Sequence, residues 1–293
     1  MHQKVIYKIP IGDKFDEFVF DPEGKGKSRY QLNGTGMTGV TTILGAIAKP
    51  NLIDWAATEA YKDSIGKSQG EIETILKDKT YAHKRRSDSA KDIGKDAHDW
   101  VERYIKSKIE GKEEPKLDQE TAHICIRFRE WAVNNKVTFI ASELSVFSRK
   151  YFYAGTFDFV CEIEGKRYLG DFKTSSGIYG REYFAQCAAY RIAIEENGAF
   201  TQNGTRMDLS NITGSIIVRS DKLTDGEVTS KNQETFNKYK SNRYAKQPFE
   251  VAESVADYPK DVKYFLGALV VYKEGFEYEV KIDELINEKV SKV

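Results

Sequence analysis

Gly155-Thr156-Phe157-Asp158-Phe159-Val160-Cys161-Glu162-Ile163 and Lys166-Arg167-Tyr168-Leu169-Gly170-Asp171-Phe172-Lys173 are separated only by Glu164-Gly165. Both runs are rich in β-branched and aromatic residues with a period of two, the pattern of strands. Glu164-Gly165 reads as a two-residue hairpin turn, a weaker signal than Asn-Gly. With that loop, Ile163 faces Lys166. Counting back along both strands puts Asp158 opposite Asp171, their Cβ atoms ~5 Å apart. Asp171 and Lys173 are two residues apart and project from one face. A longer turn would shift this register.

Like charges opposite one another are unfavourable unless compensated. A surface ion pair, Asp171–Lys173 or Asp158–Lys173, would account for the spacing alone. The neighbours argue for more. Asp158 stands between Phe157 and Phe159, and Phe172 follows Asp171. An uncompensated charge inside such strands costs several kcal/mol by order of magnitude. A divalent cation is the natural compensation, because hard oxygen ligands suit Mg²⁺ or Mn²⁺.

Working outward, residues 82–109 read as a long helix, with Ala90, Ile93, Ala97, Val101 and Tyr104 at three- and four-residue spacing. A second helix is expected over 119–134 and a strand over 137–147. Downstream come a helix over 181–196 that stops at Asn197-Gly198, a strand over 214–219, and helices over 231–245 and 259–274. The first forty residues read as short strands. Thr41 and Thr42 stand where they would cap a helix start. The central order α–β–β–β–α–β implies an α/β fold: a mixed sheet of about four to five strands flanked by helices.

Composition sets outer limits. Lys plus Arg and Asp plus Glu number 45 each, so the formal charge is zero and a uniformly basic surface is excluded. Cys125, Cys161 and Cys187 are too scattered for a disulfide framework, a zinc site or an iron–sulfur cluster, and they suit a reducing cytoplasm. The N-terminal residues lack a signal-peptide pattern, and the longest apolar run, at 264–272, falls short of the ~18 residues of a membrane span. Gly26-Lys27-Ser28 and Gly66-Lys67-Ser68 lack the earlier glycine of a phosphate loop, with Asp21 and Tyr61 in its place, so no ATP site is expected.

Gly155-Thr156-Phe157-Asp158, Gly170-Asp171-Phe172-Lys173-Thr174-Ser175, then Gln186 and Tyr190, preceded by Gly94-Lys95-Asp96-Ala97-His98 and by Glu143, together resemble the PD-(D/E)xK nuclease superfamily, in particular its RecB-like and phage exonuclease branch. The motifs span about 98–190; each is short and degenerate, and their order carries the specificity. No proline precedes Asp158, as is common in that branch. The resemblance implies a restriction-endonuclease-like core over 81–225, with an N-terminal extension (1–80) and a C-terminal extension (226–293) in one compact unit.

It further implies metal-dependent hydrolysis of DNA, most simply by an exonuclease of recombination, repair or degradation. A structure-specific endonuclease and a catalytically silent nucleic-acid-binding module are the alternatives. Asp158, Asp171, the Phe172 carbonyl and His98 would hold one or two Mg²⁺ or Mn²⁺ ions. Glu143 would serve a second ion or its water shell, and Lys173 would orient the attacking water or neutralise phosphate charge. Gln186 and Tyr190 would hold the substrate strand or the site itself, with Thr174 beside them. Arg219 and Lys222, after the fourth strand, would line a DNA channel. The implied partners are DNA, a recombination or single-strand-binding protein and further copies of the chain, in a bacterial or phage-infected cytoplasm. His83 and His123 read as ordinary helix-surface residues. The basic run 83–86, with Lys91 and Lys95, reads equally as a phosphate-facing or a solvated helix face.

Overall fold

The computed structural model describes residues 4–11, 13–47, 58, 61–62, 64–77, 82–243 and 245–277, without the side chains of 75–77, 82–91 and 276–277. The basic run 83–86 and Lys91 therefore lie outside the described side chains.

Strands β1 (Val5–Ile11), β2 (Lys14–Phe20), β3 (Tyr30–Leu32) and β4 (Thr35–Gly36) form a four-stranded antiparallel sheet in chain order. Next come β5 (Thr38–Gly39), α1 (Val40–Leu44), α2 (Gln69–Lys77), α3 (Ala82–Glu110) and α4 (Ala122–Asn134). The central run is β6 (Thr138–Ser148), β7 (Tyr153–Ile163), β8 (Lys166–Lys173) and α5 (Glu182–Asn197). After it come β9 (Ala199–Phe200), β10 (Arg206–Met207), β11 (Ile212–Ser220), α6 (Asp225–Tyr239), β12 (Phe249–Ser254) and α7 (Tyr258–Tyr272).

The main sheet has eight strands in the order β10-β9-β6-β7-β8-β11-β12, with β5 added alongside β7. It is mixed: β6, β7 and β8 are antiparallel, while β11 runs parallel to β8. A parallel return needs a long crossover, which α5 supplies. The expected four to five strands fall short because β5, β9 and β10 have two residues each, too few to carry a period. The edge strand β12 alternates weakly, with Glu250 and Glu253 in a six-residue run. Helix α6 begins six residues before the expected start. Thr224 and Glu227 bond reciprocally there, each side chain to the other's backbone N–H, a capping box within a loop-like stretch of sequence. Thr41 and Thr42 do not cap α1; Gly39 holds that position.

Helices cover both faces of the sheet. On one, Val146, Phe157, Leu169 and Ile217 pack with Ala189 and Ala193 of α5 and Phe265 of α7. On the other, Phe139, Phe159, Phe172 and Val218 pack with Trp100 and Tyr104 of α3 and Phe128 of α4. Phe128 meets Phe159 and Phe172 edge-on at 6.0 and 5.3 Å between ring centres. Each fully buried ring contributes roughly 1.5–3 kcal/mol. Gly170 is fixed by this layer, because a Cβ there would lie 2.0 Å from the Phe159 ring. A third cluster joins Tyr7, Phe18 and Tyr30 of the small sheet to Phe147, Ala154 and Phe200 of the large one. Among the described residues no helix is long and apolar enough to cross a membrane.

Candidate active site

The β7–β8 register is the one the hairpin predicts, from Ile163↔Lys166 to Phe159↔Gly170. Glu164 and Gly165 have φ of 50° and 75°, the two left-handed residues that a mirror-image turn requires. The paired register stops at Phe159↔Gly170, one step short of Asp158 and Asp171, so the expected Asp158–Asp171 position is not a ladder pair. There the Phe172 N–H donates to Asp158 Oδ2 at 2.7 Å, so a carboxylate occupies the main-chain donor.

Two further irregularities meet at this point. Regular alternation would put Phe157 and Phe159 on one face. Instead Phe157 joins the α5 side and Phe159 the α3–α4 side, so the strand changes phase at Asp158. On β6, Ser142 pairs with Phe159 and Leu144 with Phe157, which leaves Glu143 opposite Asp158. Glu143 has φ of 53°, a left-handed conformation inside a strand. Such backbone is costly for a residue with a side chain and collects at functional sites.

Asp171 is 1% exposed. Its Oδ1 accepts from Lys173 Nζ at 2.8 Å and from Gln186 Nε2 at 3.2 Å. Its Oδ2 is buried with no hydrogen-bond partner among the described residues. Gln186 Nε2 also donates to the Tyr190 hydroxyl at 3.1 Å. Both Gln186 and Tyr190 are buried behind Asp171, so of their two expected roles the geometry favours holding the site. Lys173 Nζ lies 5.5 Å from the centre of the Tyr183 ring. His98 brings Nδ1 to 3.9 Å from Asp158 Oδ2, its ring edge-on to Phe172.

Burial dominates the electrostatics. It raises Asp171 from an ordinary 3.8 to about 6; the Lys173 ammonium opposes this and the Asp158 charge adds to it. Asp158 is raised by burial against the pull of Lys173 and the Phe172 N–H. Glu143 is pushed up to about 9 by burial, then by the charges of Asp158 and Glu102. Burial works against the Lys173 ammonium, but Asp171 and Asp158 outweigh it and hold its pKa above the usual lysine value. His98 falls to about 4, from burial first and then from Lys173, so the imidazole is neutral near pH 7 and able to ligate.

Among the described residues no group of three or more His, Cys, Asp and Glu side chains is gathered as a ready-made metal cluster. The donor set nonetheless fits a hard divalent cation. Two carboxylates stand at the end of one strand pair, and Asp171 has a buried oxygen with no hydrogen-bond partner among the described residues. Mg²⁺ is commonly held by one or two carboxylates and keeps several waters.

Other expected residues stand elsewhere. Arg219, expected in a DNA channel, is 1% exposed. Its guanidinium ties Ser175 O, Gln247 O and Glu250 together, so it is a structural arginine at the end of β11. Thr174 is buried beside Gly94. His123, read as a plain surface residue, has Nε2 2.7 Å from the Lys222 carbonyl oxygen. Glu102, one turn after His98 on α3, carries no motif of its own in the sequence. It pairs with Lys106 and raises both Asp158 and Glu143.

Beside Glu143 opens a cleft of about 960 Å³, lined by Glu102, Lys95 and Arg103 of α3 and by Arg29 and Lys4 from the N-terminal part. The Arg29 guanidinium lies over the Phe20 and Tyr30 rings at 5.4 and 5.8 Å. Tyr30 in turn shares a 3.0 Å hydrogen bond with Thr156, two residues before Asp158. The small sheet thus forms one wall of the approach to the acids. No protein-family model and no curated protein sequence matches this chain.

Proposed function

We propose that the chain is a metal-dependent deoxyribonuclease with a restriction-endonuclease-like core, acting on DNA ends as an exonuclease. The observation that carries this reading is Asp171: a fully buried carboxylate with one oxygen held by Lys173 and Gln186 and the other without a partner among the described residues. A purely structural ion pair would satisfy both oxygens.

Asp158, Asp171, the Phe172 carbonyl and His98 would hold Mg²⁺ or Mn²⁺. Such an ion supplies an activated water and neutralises charge on the phosphate oxygens. The protein's own groups do the rest. Lys173 presents a permanent ammonium to phosphate oxygens, held in place by Asp171 and the Tyr183 face. Gln186, braced by Tyr190, fixes Asp171 Oδ1 so that Oδ2 stays free. Glu143 has its pKa raised to about 9, first by burial, so its carboxyl is placed to carry a proton near pH 7. The cleft carrying Arg29, Lys95 and Arg103 gives an anionic strand a route to these groups.

The test is degradation of linear DNA with Mg²⁺ or Mn²⁺, with and without EDTA. Metal-dependent loss of substrate is expected, abolished in Asp171→Ala and Lys173→Ala. A wild-type chain inert on linear, nicked and single-stranded DNA in both metals sinks the reading. Cleavage of closed circular DNA would turn it to an endonuclease, and binding without cleavage to a silent module.

A further inference from the structure

The loop after β11 carries a cation the catalytic scheme does not use. Lys222 is half-buried, and its ammonium makes no hydrogen bond or ion pair among the described residues. Its position is set by α3. A Cβ on Gly94 would lie 2.9 Å from Thr174 Oγ1, 3.4 Å from Lys222 Cε and 3.6 Å from Lys222 Nζ. The missing side chain therefore leaves room for a hydroxyl and an ammonium over the same point of the helix, one turn before His98.

The loop that holds Lys222 is pinned from several sides. His123 Nε2 meets the Lys222 carbonyl at 2.7 Å. Arg127 donates to Asp221 O at 2.8 Å and to Leu223 O at 2.9 Å. Asp221, the acid nearest in sequence, is itself engaged by the Leu223 N–H and Arg219. Burial pulls the Lys222 pKa down, with Asp221 only partly opposing it, as expected of a cation short of an anion. A pinned loop that holds an ammonium over the glycine that a hydroxyl also approaches leaves both groups able to reach one tetrahedral anion.

We propose that Lys222 Nζ and Thr174 Oγ1, both placed over Gly94, form a subsite for a backbone phosphate of the nucleic-acid strand, adjacent to the phosphate that faces Lys173. This rests on the nuclease reading above. The subsite would set the strand's register, so that one particular linkage lies against the acids.

The probe is a fluorescein-labelled single-stranded DNA of about 20 nucleotides, titrated with full-length protein in EDTA by anisotropy over a range of NaCl. For Lys222→Gln the slope of log K against log salt should shrink by about 0.7, with affinity at low salt about three- to tenfold weaker. Lys222→Arg should keep the wild-type slope. Lys166→Gln, at the far end of the β7–β8 hairpin, should leave both quantities unchanged. Thr174→Val should weaken binding without altering the slope. If wild type cuts DNA and Lys222→Gln keeps the full slope, the subsite falls and the nuclease reading stands. If wild type neither binds nor cuts DNA, both fall.

Discussion

Replacing Asp171 by asparagine, in protein freed of divalent metal by EDTA, separates a functional carboxylate from a structural one. A carboxyl whose pKa rises from 3.8 unfolded to about 6 folded destabilises the fold once ionised, by about 3 kcal/mol. Below pH 3.8 the group is protonated in both states and contributes nothing. Between 3.8 and about 6 the unfolded chain releases the proton while the folded chain keeps it, so stability falls as pH rises; above about 6 the penalty is complete. The side-chain amide of the Asp171→Asn variant mimics the protonated group and still offers its oxygen to Lys173 and Gln186. Its nitrogen must fit where Oδ2 now has no partner, and an unpaired donor costs ~1–3 kcal/mol. The expected balance at pH 8 is a gain of about 1–2 kcal/mol, or a few degrees in Tm, shrinking towards zero at pH 4. Thermal unfolding at pH 4, 6 and 8 reads this directly. Saturating Mn²⁺ should raise the wild-type Tm and leave the variant's unchanged. An Asp171→Asn protein less stable than wild type at pH 8, or a difference independent of pH, would refute the claim that this acid is placed to hold a cation.

Lys173→Met removes the ammonium and leaves Asp171 buried without its partner. Activity should be lost, and urea unfolding should show a loss of about 3–5 kcal/mol, much of it recovered in the Asp171→Asn, Lys173→Met double variant. Gly170→Ala forces a methyl into the Phe159 ring and should cost about 1–3 kcal/mol or more by the same measurement. Gln186→Leu leaves Asp171 Oδ1 with Lys173 as its one remaining donor among the described residues and removes the donor to the Tyr190 hydroxyl; kcat should fall more than KM rises, with about 1–3 kcal/mol lost in stability. Arg219→Met should destabilise the chain by several kcal/mol while the salt slope of DNA binding stays at its wild-type value, in contrast to Lys222→Gln.

The hairpin was legible because its information is local. Two alternating runs and a turn of Glu164-Gly165 fix the register from Ile163↔Lys166 onward, and the long helix followed from Ala97, Val101 and Tyr104 recurring on one face. What could not be read was set by tertiary contacts. β9 and β10 exist because longer strands give them partners, not because two residues prefer extension. Arg219 has the sequence context of a surface cation, but three acceptors from segments distant in sequence draw it inside. Lys222 keeps the exposed side expected of a channel residue only in part, because packing sets it against Gly94 of α3. His98 and Glu102 lie one turn apart on that helix, yet nothing local reveals that they face Asp158 from the opposite layer.

The ordered aromatic layer and the irregular geometry of the acids belong together. Asp158 sits at a phase change, Glu143 in a left-handed strand residue, and Asp171 where the β7–β8 pairing stops. The left-handed backbone at Glu143 alone costs on the order of 1–3 kcal/mol. Phe139, Phe157, Phe159 and Phe172 bury fully or nearly so on the two faces of the same strands, at roughly 1.5–3 kcal/mol each. The phase change itself lets Phe157 and Phe159 anchor opposite layers, so the packing that stabilises the sheet also turns Asp158 out of regular alternation. A sheet built for stability alone would gain by removing the irregularities. Retaining three of them around a carboxylate oxygen with no partner among the described residues is the arrangement expected when that oxygen has an external partner.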